Sequence, residues 1–416
     1  MIFKYFIISF LILSNSLLCS VVSDIKITGN IKTKDEIILR EIKHPIPSMY
    51  DTTRSIEDTE RIYNIGIFSD VQIKQIDSTY HVSVIETFQY LPMPILEYDE
   101  GHGISFGLGL AYLNFRGQNE QLLFSLVKGT FYEYYFDYYN PWIYGDHGSL
   151  FAQIYQTEYT SINYYINYLE KGFFLGSGIH KERYHKYKCI IGHEFILLKK
   201  DENKNNLKKN YVNYDSSYRY FNIILDYRYD TRNIYIDPTN GKLLRLIINP
   251  KIGISTNNRF NVNLSIRNYY KIPNAPLDPI VSLYSKLVLK STKKIPVFEN
   301  LSLGGEDFVR GYSPIFELNN KKIKNNLEGN QIIYQNIELQ HTLVERKNFN
   351  GIELGADIAY FFDLGLTDYK IYSLKFNNLI YGYGCGLRLF ISGLGVINFD
   401  IGFNPYGDWY FHPSDD

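Results

Sequence analysis

One stretch of the chain combines a single cation with three glycines. It reads SLGGEDFVRGY, and Arg310 is its only basic residue. The Gly304-Gly305 pair and Gly311 indicate a loop that turns tightly, because glycine adopts backbone conformations that are costly for other residues. The loop, over about residues 297–329, is long and follows a predicted strand, so it could fold back into the interior of a curved sheet.

Three carboxylates further along the chain could supply a partner for that cation. In Gly351–Gly365, the residues Glu353, Asp357 and Asp363 alternate with apolar residues, so all three fall on one face of a strand. A buried carboxylate needs a partner, and the planar guanidinium of Arg310 suits bidentate pairing with Asp363. The predicted chemistry is an ion pair that anchors a loop.

No other set of residues points to catalysis or to a bound cofactor. His180, His185, Cys189 and His193 could suggest a metal site, but residues four apart on a strand lie about 13 Å apart, too far to share one ion. The sequence contains no P-loop or H-E-x-x-H motif. We therefore expect no enzyme activity, no metal and no cofactor.

The composition narrows the classes of protein that could carry this loop. The 416 residues include 39 Tyr, 27 Phe and 2 Trp, and 43 basic residues nearly balance 44 acidic ones. A near-neutral chain argues against nucleic-acid binding, which needs a basic surface. A hydrophobic content of 45% excludes a disordered chain. After the N-terminus, no stretch has the apolar length of a membrane-spanning helix.

From about residue 90 onward, the hydrophobic pattern has the period of two that is typical of strands. Phe221–Arg232, Arg259–Arg267 and Gly351–Gly365 each place apolar residues on one face and mostly polar residues on the other. About fifteen such segments of about ten residues, rich in aromatics and separated by turns or polar loops, are the signature of a transmembrane barrel. The aromatic residues then have a role as girdles at the two membrane interfaces.

The first twenty residues have the layout of an export signal. Met1–Ser20 has one basic residue, Lys4, followed by an apolar run and then by small residues, which is typical of a secretory signal peptide. Lipidation of Cys19 is disfavoured by the bulky Leu18 before it. We expect removal of this segment and export of the rest of the chain.

Residues 22–88 predict a small domain with the order β-α-α-β-β. Thr33–Glu36 has the form of a capping box that opens a first helix. A second helix is predicted over Arg54–Ile65, with Ile56 and Ile62 near one face. Strands are predicted over Asp24–Gly29, Phe68–Ile76 and Tyr80–Glu86 from their alternation and from the turn residues around them.

Several of these motifs resemble those of a known family. The 22–88 domain, with R-x-Y-x-x-G-x-F-x-x-V at 61–71, is similar to a POTRA (polypeptide-transport-associated) domain. The G-G-x-x-x-V-R-G-Y loop, F-x-D-x-G at 361–365 and N-I-E-L at 336–339 resemble motifs of the BamA/TamA-type outer-membrane assembly family, the bacterial surface antigen barrels. The resemblance implies a mainly β protein, with a 16-stranded transmembrane antiparallel β-barrel preceded by one POTRA domain.

The resemblance also implies which residues hold the loop inside the barrel. The expected lock between loop and lumen consists of Val309, Arg310, Gly311, Tyr312, Asp363 and Glu338. Gly304 and Gly305 would shape the loop, while Phe361 and Gly365 belong to the partner motif on a neighbouring strand. The expected domains are a signal peptide (1–20), a POTRA domain (22–88) and an outer-membrane barrel (90–416).

The function implied by the resemblance is assistance in the insertion and assembly of outer-membrane proteins, through client binding at the POTRA domain and a lateral seam of the barrel. The implied location is the bacterial outer membrane, with the POTRA domain in the periplasm. The implied partners are unfolded outer-membrane protein clients, outer-membrane lipid and accessory assembly lipoproteins, without nucleic acid. Two alternatives stay open: a polypeptide export pore like those of two-partner secretion, and a transport-inactive structural barrel.

The C-terminus departs from the family pattern. Family members end in a full strand with a terminal aromatic residue, whereas here Trp409–His412 is followed by Pro413. Because proline cannot donate to a ladder, we expect the last strand to stop after about five residues. Either the seam between the first and last strands is then weak, or the end of this sequence is aberrant.

Overall fold

The computed structural model describes residues 21–99, 103–129, 131–145, 147–161, 166–200, 216–254, 256–291, 299–314 and 326–415. The predicted signal peptide, residues 1–20, lies outside this part of the chain. Over the described ranges, no helix is both long and apolar enough to cross a membrane. The chain forms a small α/β domain followed by one large antiparallel sheet.

The small domain has the predicted β-α-α-β-β order, with one extra pair of very short strands. Its elements are β1 (Val21–Val22), β2 (Asp24–Thr28), α1 (Asp35–Leu39), β3 (Ser48–Met49), α2 (Thr52–Tyr63), β4 (Phe68–Ile76) and β5 (Thr79–Glu86). Strand β5 is central, parallel to β2 and antiparallel to β4, and β1 pairs with β3. The core forms where Ile38 and Ile62 from the helices meet Tyr80 and Val82 from the sheet.

Two details of the helix predictions are wrong. Helix α1 begins at Asp35 after Lys34, which makes no side-chain cap. Instead of capping the helix, the Thr33 hydroxyl accepts a hydrogen bond from the Asn114 amide at 2.9 Å, so a contact with the large sheet replaces the local one. Helix α2 is capped by Asp51, two residues earlier than predicted, and Ile56 is exposed rather than on its buried face.

The large sheet has sixteen strands, each antiparallel to its neighbours. They are β6 (Tyr90–Asp99), β7 (Gly103–Phe115), β8 (Glu120–Gly129), β9 (Phe131–Tyr144), β10 (Gly148–Ser161), β11 (Ile166–Lys181), β12 (His185–Lys200), β13 (Ser217–Asp230), β14 (Gly241–Gly253), β15 (Arg259–Lys271), β16 (Ile280–Lys290), β19 (Gln331–Phe349), β20 (Ile352–Asp368), β21 (Ile380–Ile391), β22 (Gly395–Phe403) and β23 (Trp409–Asp415). Strands β17 (Leu301–Ser302) and β18 (Glu328–Gly329) form a separate pair within the connection from β16 to β19. Two 3-10 turns, Ile371–Ser373 and Phe376–Asn378, lie between β20 and β21.

Alternation along the strands separates an inner from an outer face. On β20, Phe361 and Asp363 are buried, whereas Tyr360 and Phe362, which alternate with them, are exposed. The POTRA-like domain contacts Asn114 at the end of β7, near the beginning of the sheet, and Ser392 in the β21–β22 turn, near its end. Since one small domain reaches both regions, the sheet curls around an interior, which we call the lumen. The predicted barrel architecture is confirmed in strand number and strand direction.

The last strand is longer than the sequence predicted. Strand β23 continues through Pro413, which lies opposite Phe399 of β22. The prediction was wrong because β23 is at the edge of the sheet, where a proline nitrogen can face away from the ladder without loss of a hydrogen bond. Among the described residues, no ladder joins β23 to β6, the strand at the other end of the sheet. We call these two edge strands, which share no ladder with each other, the seam.

Candidate functional site

The described parts of the connection between β16 and β19, residues 299–314 and 326–330, fold into the lumen. Its strand pair β17–β18 and a bridge between Gly304 and Val309 give it a compact shape. Val309 and Tyr312 are almost completely buried, in a cluster that also includes Tyr334 of β19 and Ile380 of β21. The segment Val309–Tyr312, which we call the loop tip, is therefore packed against the inner wall of the barrel.

Arg310 lies where the sequence placed it, against Asp363. Its Nε donates to Asp363 Oδ2 at 2.8 Å and its Nη2 to Oδ1 at 3.0 Å, which is the bidentate geometry. The backbone N–H of Arg310 adds a third hydrogen bond to the same carboxylate at 3.1 Å. Asn336 and Tyr334 of β19 also donate to Asp363, at 2.8 and 3.1 Å. This fully buried carboxylate is thus satisfied by the loop and by its neighbouring strand.

Arg310 also reaches two further carboxylates. Its Nη1 lies 2.7 Å from Asp400 on β22 and 3.4 Å from Glu338 on β19. A second buried arginine, Arg388 on β21, donates to both, at 2.5 Å to Asp400 and 3.0 Å to Glu338. The carboxylate cluster of Asp363, Glu338 and Asp400 therefore holds three negative charges against two arginines. Removal of either arginine would leave three buried negative charges with one positive charge, which is energetically costly.

The remaining predicted residues pack around this contact. Phe361 lies under the Arg310 guanidinium, 3.4 Å from ring centroid to Cζ. Gly365 lies beneath Val309, where a Cβ would come within 2.7 Å of the valine side chain. Gly305 has a φ of +105° and turns the loop just after the Gly304 bridge. All ten predicted site residues are thus in or next to one buried region.

Close approach of the backbones fixes the loop tip on β22. A Cβ on Gly402 would lie 2.4 Å from the Gly311 nitrogen, and a Cβ on Gly311, whose φ is +93°, would lie 2.6 Å from the Phe403 carbonyl. Neither position can carry a side chain without displacing the loop. The loop tip is therefore held by backbone contact as well as by charge.

Sequence reasoning missed several members of this site. Asp400, Arg388, Asn404 and His412 all contact the cluster or the loop tip. The lumenal position of Asp400 could have been predicted from the sequence, since Asn398 and Asp400 occupy alternate positions in an otherwise mostly apolar strand. The others depend on how β21, β22 and β23 align in space, which spacing along the chain does not show.

The POTRA-like domain is docked on the turns at the other end of the barrel. Arg183, in the β11–β12 turn, bridges Glu57 and Glu60 of α2 at 2.7 and 3.2 Å. Burial raises the pKa of Glu60 and Arg183 opposes that shift. On the same side, Arg40 stacks over Trp142 at 4.3 Å, and burial lowers the pKa of its guanidinium. Paired charges and a cation–π contact thus hold the domain over the lumen.

Further contacts extend this docking to the middle and end of the sheet. Asn64, just after α2, exchanges two hydrogen bonds with the β13–β14 turn, to Asn233 and from Tyr235, both at 2.8 Å. Asn348 of β19 donates to Ser69 at 2.7 Å. Between the domain and the barrel wall lies a cavity of about 570 Å³, with Arg61 and Arg228 among its lining residues.

The residues considered as a metal site do not converge. His180 stacks on His147, while His185 contacts the hydroxyl of Tyr227. Over the part of the chain that the structure describes, no three His, Cys, Asp or Glu residues are grouped as metal ligands.

The structure is that of an outer-membrane barrel protein. It has a sixteen-stranded sheet with an apolar outer face, a docked POTRA-like domain and a loop anchored in the lumen. The Omp85 superfamily domain matches residues 114–410, and the POTRA family, described as a surface antigen variable number repeat, matches residues 20–87. The chain belongs to the Omp85 superfamily, a family of outer-membrane insertion and secretion proteins. It is an outer-membrane protein with its POTRA domain in the periplasm, which confirms the family resemblance of the motifs.

Individual relatives agree with this assignment. A segment of 51 residues, 12% of this chain, is 41% identical to the outer membrane protein assembly factor BamA of Neisseria meningitidis serogroup B and spans 6% of that protein. BamA from Haemophilus ducreyi lacking POTRA domains 1–3 has a similar fold, with a TM-score of 0.60 and 16% identity over 95% of this chain and 83% of that one. CdiB from Escherichia coli also has a TM-score of 0.60, with 13% identity over 95% of this chain and 74% of that one.

Proposed function

We propose that this protein assists the insertion of other barrel proteins into the outer membrane. The observation that carries the proposal is the seam. Strand β23 has a ladder of seven residue pairs with β22, and the described residues form no ladder between β23 and β6. In lipid, unpaired backbone groups at a strand edge find no water, so an incoming client strand can satisfy them.

This mechanism needs no cofactor. A client strand that pairs with the seam edge gains backbone hydrogen bonds, and its apolar face leaves water for lipid. Each strand added presents a new edge to the next. The free energy of insertion therefore comes from the client itself, and the protein lowers the barrier by providing a template in the membrane.

The POTRA domain supports the first step of this proposal. Its sheet order leaves β2 and β4 as edge strands, and an extended peptide can add to such an edge by β-augmentation. The domain is docked directly beneath the barrel, so a client held there would be close to the membrane. Outer-membrane lipid and accessory assembly lipoproteins stay predictions from the family resemblance.

The test is insertion of an unfolded barrel client into proteoliposomes that contain the purified protein. Protease protection of the client measures the rate. We expect faster protection than in empty liposomes and a slower rate with Arg310→Ala. The matched control is Arg245→Ala, which removes another lumenal cation but leaves its partner Asp226 paired with Arg228. Equal rates in empty and loaded liposomes would refute insertase function.

A second candidate is a polypeptide export pore, which is supported by the likeness to CdiB at the same TM-score as to BamA. The same liposomes separate the two functions. An export pore would carry a dedicated soluble passenger across the membrane without accelerating a barrel client. A transport-inactive barrel would do neither, although it would still migrate as a folded, heat-modifiable species.

A further inference from the structure

A buried histidine of the last strand connects the seam to the loop tip. His412 of β23 is fully buried, and its Nε2 accepts a hydrogen bond from the Gly311 N–H at 2.9 Å. The Gly311 carbonyl accepts another, also at 2.9 Å, from the amide of Asn404 in the β22–β23 turn. Both backbone polar groups of Gly311 are therefore bound by side chains of the last hairpin.

Two consecutive residues of the loop thus hold different parts of the barrel. Arg310 binds carboxylates on β19, β20 and β22, through Glu338, Asp363 and Asp400. Gly311 binds the last hairpin through His412 and Asn404. Because the two residues share one peptide unit, a displacement of Arg310 from its carboxylates also pulls on the contact with β23.

The last strand depends on this contact more than an inner strand would. Strand β23 has seven residues and pairs on one side with β22. His412 lies near its middle, directly opposite Asp400 of the carboxylate cluster. A short strand with a ladder on one side frays easily, since few backbone hydrogen bonds resist its opening. A side-chain bond from its middle to the loop adds a second attachment.

We propose that His412 is a positioning residue that couples the loop tip to the seam. With the loop tip in the lumen, His412 holds β23 in its ladder, and release of the loop tip frees β23. The functional meaning of this coupling rests on the proposed use of the seam for insertion. The coupling itself is a property of the folded protein and can be measured without any client.

The experiment is hydrogen–deuterium exchange of the full-length protein in lipid nanodiscs. His412→Phe keeps an aromatic ring but removes the acceptor, whereas His412→Gln keeps an acceptor oxygen. We expect the Phe variant to raise exchange of peptides covering 409–415 by about tenfold, the effect of losing one net hydrogen bond, with simultaneous deprotection of 309–312. The Gln variant should restore most of the protection. Phe411→Leu, on the outer face of the same strand, is the matched control.

A second arm separates coupling from simple packing. Asp363→Asn weakens the hold on Arg310 without contacting β23. Coupling predicts that it increases exchange of 409–415 in the wild-type background and adds little in His412→Phe, because interacting sites are not additive. An equal increase in both backgrounds, or a folded His412→Phe protein with unchanged exchange of 409–415, would overturn the proposal.

Asn404→Ala provides the test if the His412→Phe protein does not fold. It removes the other contact to Gly311, and unchanged exchange of 309–312 and 409–415 in that variant would also overturn the coupling. Insertion of a client is measured separately. A change in exchange without any client insertion would leave the coupling in place and refute the proposed function alone.

Discussion

Removal of the Arg310 side chain should release the loop tip while the barrel stays folded. Arg310→Ala leaves Asp363, Glu338 and Asp400 with Arg388 as their remaining arginine, so the net charge of the cluster changes from −1 to −2. Loss of one partner from a buried ion pair costs about 3–5 kcal/mol. The strand ladders do not involve this side chain, so the cost falls on the state with the loop inside. The ratio of released to retained loop should rise by roughly two to four powers of ten.

The assay uses a cysteine at a completely buried position of the loop tip. Val309→Cys, in a background without Cys189 and Cys385, reacts with a maleimide only when the loop tip leaves the lumen. If opening is fast and reversible, the labelling rate follows the released population. We expect labelling at least about a hundredfold faster with Arg310→Ala, and an intermediate rate with Arg310→Lys, which keeps the charge but loses the bidentate fork.

The matched control for this assay is Arg245→Ala, a lumenal arginine of β14 that pairs with Asp226 and has no hydrogen bond or ion pair with the described residues of the loop. Its labelling rate should equal that of the parent protein. Equal rates for Arg310→Ala and the parent, in barrels that both remain heat-modifiable, would refute the argument that buried charge retains the loop.

Three other predictions follow from contacts outside that ion pair. Gly402→Ala places a methyl group against the loop backbone and should also expose the cysteine at position 309, whereas Gly109→Ala on β7, where the nearest atoms to a Cβ are side-chain carbons of Ile95 at 3.1 and 3.4 Å, should not expose it. Arg183→Ala removes the bridge to α2 and should loosen the POTRA domain, seen as a change in Trp142 fluorescence; an unchanged spectrum would contradict the role of that bridge. Asp58→Ala leaves buried backbone donors unsatisfied and should destabilise the POTRA fold by about 3–5 kcal/mol, read as faster amide exchange in β5 without a change in the barrel strands.

Alternation along single strands predicted much of this structure, because a period of two fixes the face on which each side chain lies. That rule placed Asp363 in the lumen and, with the family motifs, led to Arg310. Local rules failed in two places. Thr33 bonds to the barrel instead of capping a helix, because a distant partner competed. Pro413 does not end the last strand, because the free edge of β23 accommodates it. The contact of His412 with the loop could not be predicted, since it depends on two segments about a hundred residues apart meeting in the lumen.

The docked POTRA domain and the inward loop have a consequence for membrane permeability. They occupy opposite ends of the barrel, so ions and small solutes meet an obstruction on whichever side they enter. We therefore expect little current through the barrel while both obstructions are in place. The current through a single barrel in a planar bilayer should then change whenever either obstruction moves. Such a recording follows one molecule over time, whereas bulk assays average over many molecules.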